Sequence, residues 1–288
     1  MNSPLRLPQL CVTASLALGF GLGAATTARA AGLTGATLSG DNYRYCATGS
    51  STYRGSTCTD SLDTILSGNA TSPGGNVELG ARTETQGFSS QGSLSGSVGG
   101  QAITLSSLTA ADWNSDLDGN GQTLGADWMR DLLTTYSPKA LDTPDKGFSL
   151  IQFLLDLFTD SKGRERFSDP NVAYVNQEDG QVKVGLTGHY DARPLLASAG
   201  ITPPVPLGVP IQVSEIVKVT YGGDTFFKYG LGATASGLVN NLGAGADGIS
   251  HSGNYEVSFA AVPEPSLLLG GLVALGLGTA LKRKAEAV

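Results

Sequence analysis

The chain has 288 residues, 40 of them glycine, with 18 Lys and Arg against 25 Asp and Glu and two histidines, for a formal net charge of −7. Acidity of this order, with no basic patch in the interior of the sequence, excludes a binder of nucleic acid or anionic lipid. Two histidines leave little material for histidine-based metal or acid–base chemistry.

At the N-terminus Arg6 precedes an apolar stretch from Leu10 to Ala25, and Ala28-Arg29-Ala30 stands as a small-x-small cleavage site before Ala31. That order predicts a secretory signal peptide over residues 1–30 and places the remainder in a disulfide-permissive compartment. Residues 31–265 hold 13 basic and 24 acidic side chains, so the exported part carries −11. Its length suffices for one sizeable core.

From Ala31 to Leu108 glycine, serine and threonine dominate, and Leu94, Val98, Ile103 and Leu105 recur with period-two character. This pattern predicts short strands joined by long turns. Cys46 and Cys58 lie far from Cys-x-x-Cys spacing and from both histidines, which predicts a structural disulfide closing a 13-residue loop. Tyr43, Tyr45 and Tyr53 flank it and form a candidate stacking platform for a sugar.

The segment Asp116-Leu-Asp118-Gly-Asn120-Gly121-Gln122, with Asp127 at the twelfth position and a helix following, matches the calcium-loop template Asp-x-Asp-x-Asn-Gly. Alternate side chains on such a loop converge their oxygens on one cation, Gly121 permits the sharp turn, and Gln122 offers a backbone carbonyl. Asp127 in place of glutamate and Leu124 at a ligand position depart from the template. A structural Ca²⁺ on Asp116, Asp118, Asn120, Gln122 and Asp127 therefore stands beside a second reading, a solvated turn with Asp127 at the start of a helix. No other cofactor is expected.

Trp128, Met129, Leu132, Leu133 and Tyr136 share one helical face, and Pro138 ends that helix. Phe148 to Phe158 is apolar nearly all round, which predicts a buried helix, too short to span a bilayer. These two form a helical insertion at about residues 124–160. Beyond Pro170, Val172 to Val175 and Val182, Val184 and Leu186 flank Gln177 to Gly180 as a hairpin; Ile211 to Tyr221 and Thr225 to Leu231 flank Gly222-Gly223-Asp224 as a second. Thr202 to Pro210 reads as an extended surface connector, and Tyr255, Val257 and Phe259 alternate in a last strand. The order strands, two helices, strands predicts a mainly β, sandwich-like fold with a two-helix insertion, an α+β domain over residues 31–261.

The chain closes with Val262-Pro263-Glu264-Pro265, an uncharged run from Ser266 to Leu281, and Lys282-Arg283-Lys284. Sixteen helical residues reach about 24 Å, enough to span with local thinning, and the basic cluster would stay cytoplasmic. The three parts in this order resemble the PEP-CTERM sorting signal. The resemblance implies recognition of residues 262–288 by an exosortase, cleavage near Pro263-Glu264-Pro265, transient insertion of 266–281 in the inner membrane, and delivery to the cell surface or extracellular matrix. The stretch Ser168-Asp-Pro-Asn-x-x-Tyr-Val-Asn-Gln and His251-Ser-Gly-Asn-Tyr-Glu are similar to ectodomains of cyanobacterial PEP-CTERM proteins, a family of uncharacterised function.

His189, in Gly-His-Tyr-Asp191, and His251 have no nucleophile-elbow or His-x-x-x-His context. The expectation is a non-catalytic surface or matrix protein whose partners are an exosortase, the secretion machinery and surface polysaccharide or matrix, not nucleic acid. A carbohydrate-binding surface module is the alternative, ahead of a secreted hydrolase using His189, Asp191 or the Asp116–Asp127 cluster as general acid or base.

Overall fold

Period-two alternation makes the strands, and paired turn residues in the left-handed region make the tight hairpins. Asp179 and Gly180 adopt φ +52° and +73°, and the pair Gly222-Gly223 adopts +63° and +97°. Two consecutive positive φ values match the right-handed twist of the flanking strands, which is why Asp-Gly and Gly-Gly stand at these corners. The computed structural model describes residues 31–48, 51–54, 58–80, 87–117, 119–142, 144–160, 162–194, 205, 208–238, 240–241 and 250–262. The expected signal peptide, the sorting residues Pro263, Glu264, Pro265, Lys282, Arg283 and Lys284, the run 266–281 and most of the proline-rich connector lie outside the described residues.

In chain order, β1 (Ala31–Gly32), β2 (Thr34–Gly40), β3 (Asn42–Thr48) and β4 (Ser51–Arg54) lead to a short helix, α1 (Leu62–Ile65). Then come β5 (Gly68–Asn69), β6 (Ser72–Pro73), β7 (Gly75–Leu79), β8 (Gly92–Val98) and β9 (Gln101–Ser106). Helices α2 (Leu124–Tyr136), α3 (Pro144–Asp160) and α4 (Gly163–Arg166) follow. Strands resume as β10 (Asn171–Glu178), β11 (Gln181–Gly188), β12 (Val217–Tyr221), β13 (Asp224–Lys228), β14 (Thr234–Ala235), β15 (Asn240–Asn241) and β16 (Gly253–Ala260).

The described residues are thus mainly β with a few helices, in three sheets. The largest runs β14-β16-β11-β10-β7-β3-β4-β15, with β1 added beside β10; a five-stranded sheet runs β13-β12-β9-β8-β2; β5 and β6 form a two-stranded ribbon. The two larger sheets share one core. Val77 and Leu79 of β7, Val172 and Val175 of β10, and Val182, Val184 and Leu186 of β11 pack with Leu94 and Val98 of β8, Ile103 and Leu105 of β9, and Val217 and Val219 of β12.

A second core holds the helices. Thr123 caps α2, accepting from the Ala126 N–H, and Pro138 follows its end. Trp113, Trp128, Phe158 and Phe167 form one ring cluster, with contacting centroids 5.0 to 5.9 Å apart. The Trp113 indole N–H donates to Ser168 Oγ at 2.7 Å, tying this cluster to the approach to β10.

Two expectations are corrected. Helix α3 is not buried all round: Ile151 faces the core, but Phe153 and Leu157 are 64% and 51% exposed. Only one side of α3 meets α2 and the aromatic cluster, so the apolar residues opposite stay in solvent. The strand expected from Ile211 begins only at Val217. Upstream of it, four N–H groups find four different partners: Gln212 donates to the Tyr136 hydroxyl, Val213 to the Tyr255 hydroxyl, Ser214 to the Gly230 carbonyl and Ile216 to the Phe167 carbonyl. A segment satisfied piecemeal needs no ladder, and it threads between helices and sheets with Ile211, Val213 and Ile216 buried.

Cys46 and Cys58 form the predicted disulfide, with Cα atoms 5.4 Å apart, fastening β3 to the loop before α1. Replacing both cysteines by alanine is expected to lower unfolding stability by about 3 kcal/mol, read from denaturant midpoints, because the cross-link restricts the unfolded chain. Reductant should reproduce the loss in the native sequence and leave the variant unchanged.

Candidate functional site

The predicted calcium loop turns its donors inward. Both carboxylate oxygens of Asp116 accept backbone N–H groups, from Asn120 at 3.0 Å and Gly121 at 2.9 Å. The Asn120 side-chain oxygen accepts the Gln122 N–H at 2.7 Å, and its amide donates to Asp127 at 2.9 Å. Arg130, one turn further along α2, donates to the other Asp127 oxygen at 2.8 Å and to the Gln122 side chain at 3.2 Å. A guanidinium therefore stands where the twelfth-position ligand would reach a cation. Asp118 lies outside the described residues, and among the described ones no three His, Cys, Asp or Glu side chains gather as a metal-binding group. The described donors fit a self-closed turn at a helix start, in which Asp127 faces the positive end of α2; a Ca²⁺ ion would have to displace Arg130. Asp127→Ala is expected to cost about 1 kcal/mol. Millimolar Ca²⁺ should leave the melting temperature of the native protein unchanged, as followed by circular dichroism.

No family model, no curated protein and no solved structure matches this chain. What it does must be read from its own side chains.

The other residues singled out in the sequence are engaged structurally. Asp191 is clasped by the Arg193 guanidinium and accepts the N–H groups of Arg193 and Ile211. Burial alone would raise this carboxyl, but Arg193 and those N–H donors outweigh it and hold it below the usual range. The His189 carbonyl accepts the Tyr255 hydroxyl. His251 is buried, edge-on to Tyr45 at 4.8 Å and within 3.3 Å of the Asn76 amide. Tyr45 is 3% exposed and donates its hydroxyl to Glu78 at 2.6 Å, so it is no stacking platform. The Tyr53 side chain lies outside the described residues.

A polar cluster went unnoticed in the sequence. Across the face of the large sheet away from the core, Asn254, Thr187, Asn171, Glu78 and Tyr43 stand in one cross-strand row. Parts of this face are covered, and Asn254 and Thr187 are 0% and 1% exposed. At Asn171 the backbone N–H and the side-chain amide both donate to Glu215, at 2.8 and 3.3 Å. By surface area Glu215 is only half-buried, yet the groups packed around its carboxyl and the nearby charge of Glu78 push it up to about 8, against the opposing pull of Asn171 and Arg166. The alternation of Asn, Thr and Glu opposite the apolar residues of these strands was the signal available.

Because the folded state holds the Glu215 proton more tightly than the unfolded chain, stability is highest below the ordinary glutamate range and falls as pH rises from about 4.5 to about 8. At about 1.4 kcal/mol per pKa unit the loss is on the order of a few kcal/mol. Glu215→Gln, which keeps an acceptor for Asn171, should raise the melting temperature by several degrees at pH 8.5 and leave it nearly unchanged at pH 4.5. Asp112 and Asp191, both held below the usual range, act in the opposite direction and only at lower pH.

Proposed function

We propose that this chain is an exported, non-catalytic surface or extracellular-matrix protein handed to an exosortase by its C-terminal segment. One observation carries the reading: Pro263-Glu264-Pro265, the uncharged run 266–281 and Lys282-Arg283-Lys284 follow each other in the order that sorting requires. Each part has a mechanical role. The prolines keep the recognition segment extended, the run inserts in the bilayer, and the basic residues halt it on the cytoplasmic side.

Three features support the proposal. The Cys46–Cys58 bridge suits an oxidising compartment. Two sheets closed on one core suit a sandwich-like ectodomain. The residues leading into the proposed tag are tied to the fold: β16 runs to Ala260, the Ala261 N–H donates to the Gly180 carbonyl, and the Val262 N–H donates to the Tyr221 hydroxyl. In this reading the partners are the exosortase, the secretion machinery and, after release, the surface polysaccharide or matrix.

Cell fractionation with intact-mass measurement tests it. The expected product is a surface or released species beginning at Ala31 and ending near Pro265, with the mass of an oxidised disulfide. Replacing Pro263 and Pro265 by alanine should hold the protein in the inner membrane. Unchanged location after deletion of residues 263–288, or a native protein that stays in the cytoplasm, would sink the proposal.

A further inference from the structure

The second polar feature absent from the sequence reading lies on the outer face of the five-stranded sheet. Ser39, Ser93, Ser106, Lys218 and Phe227 stand in successive cross-strand register over β2, β8, β9, β12 and β13. At ~4.8 Å between strands this row is about 19 Å long. The segment that enters the helical layer runs beside it. Two cavities of about 210 Å³ each lie along the row, one holding Ser93, Ser106 and Lys218 against Thr109 and Asp112, the other holding Phe227 against Ser115, Asp127 and Tyr229. Lys218, which lines the first, and Phe227, which lines the second, are direct cross-strand neighbours.

We infer that this groove binds an extended, neutral polysaccharide chain. The inference rests on the surface or matrix reading above for the origin of the glycan. A sugar ring offers hydroxyls around its edge and an apolar C–H face. Serine and threonine hydroxyls, one ammonium and two carboxylates serve the first, and the parts of the Phe227 and Tyr229 rings that line the cavity, the rest being packed on the helical core, serve the second.

Charge selects the neutral class. Lys218 is paired with Asp112 at 2.7 Å and Asp127 with Arg130 at 2.8 Å, so the groove presents no surplus cation to an anionic polymer, and the chain as a whole carries −7. Direction selects glycan over peptide. The groove crosses the strands, so it offers side chains and no strand edge on which an extended peptide could form a ladder. A parallel row of hydroxyls, Thr37, Ser95, Thr104, Thr220 and Thr225, extends the same uncharged surface two residues along each strand. Within it Ser95 and Thr104, and Thr220 and Thr225, are hydrogen-bonded at 3.0 and 3.1 Å.

The full chain, purified in mild detergent, is tested for retention on cellulose, chitin, xylan and β-1,3-glucan, with alginate and an unstructured peptide as contrasts. Retention on at least one neutral polymer is expected, and calorimetric titration with its oligosaccharide should saturate. Lys218→Met, which removes the central donor, and Ser93→Tyr, which fills the groove floor, should each weaken binding about tenfold or more. Thermal melts establish that each variant is folded; if Lys218→Met is not, Ser93→Tyr decides. No retention on any neutral polymer, preference for alginate or the peptide, or unchanged affinity in folded Ser93→Tyr overturns the inference. Cell fractionation is a separate readout: a protein that binds glycan but remains cytoplasmic overturns the export proposal alone, and an exported protein that binds none overturns the groove alone.

Discussion

Four aromatic rings hold the helical layer to the sheets. Trp113 precedes α2, Trp128 lies on it, Phe158 lies on α3 and Phe167 follows α4, so their contacts join every part of the insertion. Aromatic pairs of this kind contribute about 0.5–1.5 kcal/mol each beyond the area they bury. The Trp113 indole also reaches Ser168, three residues before β10. Because Asp112 adjoins Trp113, anchoring that ring places the Asp112 carboxylate opposite Lys218 on the five-stranded sheet. The position of one bank of the groove follows from a hydrophobic contact behind it.

The large sheet departs from the simple antiparallel case. An antiparallel sheet with one face on a core commonly solvates the other, but parts of this outer face are covered. The residues there stayed polar, and Asn254 is wholly buried with neither amide atom hydrogen-bonded to the protein. Such a group costs about 1–3 kcal/mol. The Tyr174 hydroxyl on the same sheet donates to Glu256 at 2.7 Å, and burial and that carboxylate together hold its ionisation above the ordinary tyrosine range. Glu215 is raised by the same pairing of burial with a neighbouring carboxylate. Stability in the neutral pH range is thereby coupled to a face that contributes nothing to the apolar core.

The few cations are used locally. Lys218 meets Asp112, Arg130 meets Asp127, Arg193 meets Asp191, and Lys183 meets Glu178. The excess of acidic residues favours solubility and discourages contact with acidic polymers.

Much of the fold was legible in the sequence because its signals are local. Apolar alternation marked β8 to β11 and β16, Asp179-Gly180 and Gly222-Gly223 marked two hairpins, Pro138 marked the end of α2, and the two cysteines beyond the expected signal peptide, with one pairing between them, marked the disulfide. The proposed sorting segment rests on a linear pattern in the sequence alone. Local reading failed where a residue's partner is remote. It took Phe153 and Leu157 for core because an apolar helix does not say how many sides it packs, and it took Ile211 to Ile216 for strand because apolar spacing does not say whether a neighbouring strand is there. It saw the acidic residues of the Asp116 loop but not Arg130, which neutralises one of them. The groove beside Lys218 and the Glu215 cluster were invisible, since Lys218 and Asp112 are 106 residues apart and Glu215 and Asn171 are 44 apart. Turn geometry and helix ends are settled by forces acting over a few residues, whereas strand order and the docking of the helical layer alone bring such pairs within hydrogen-bonding distance.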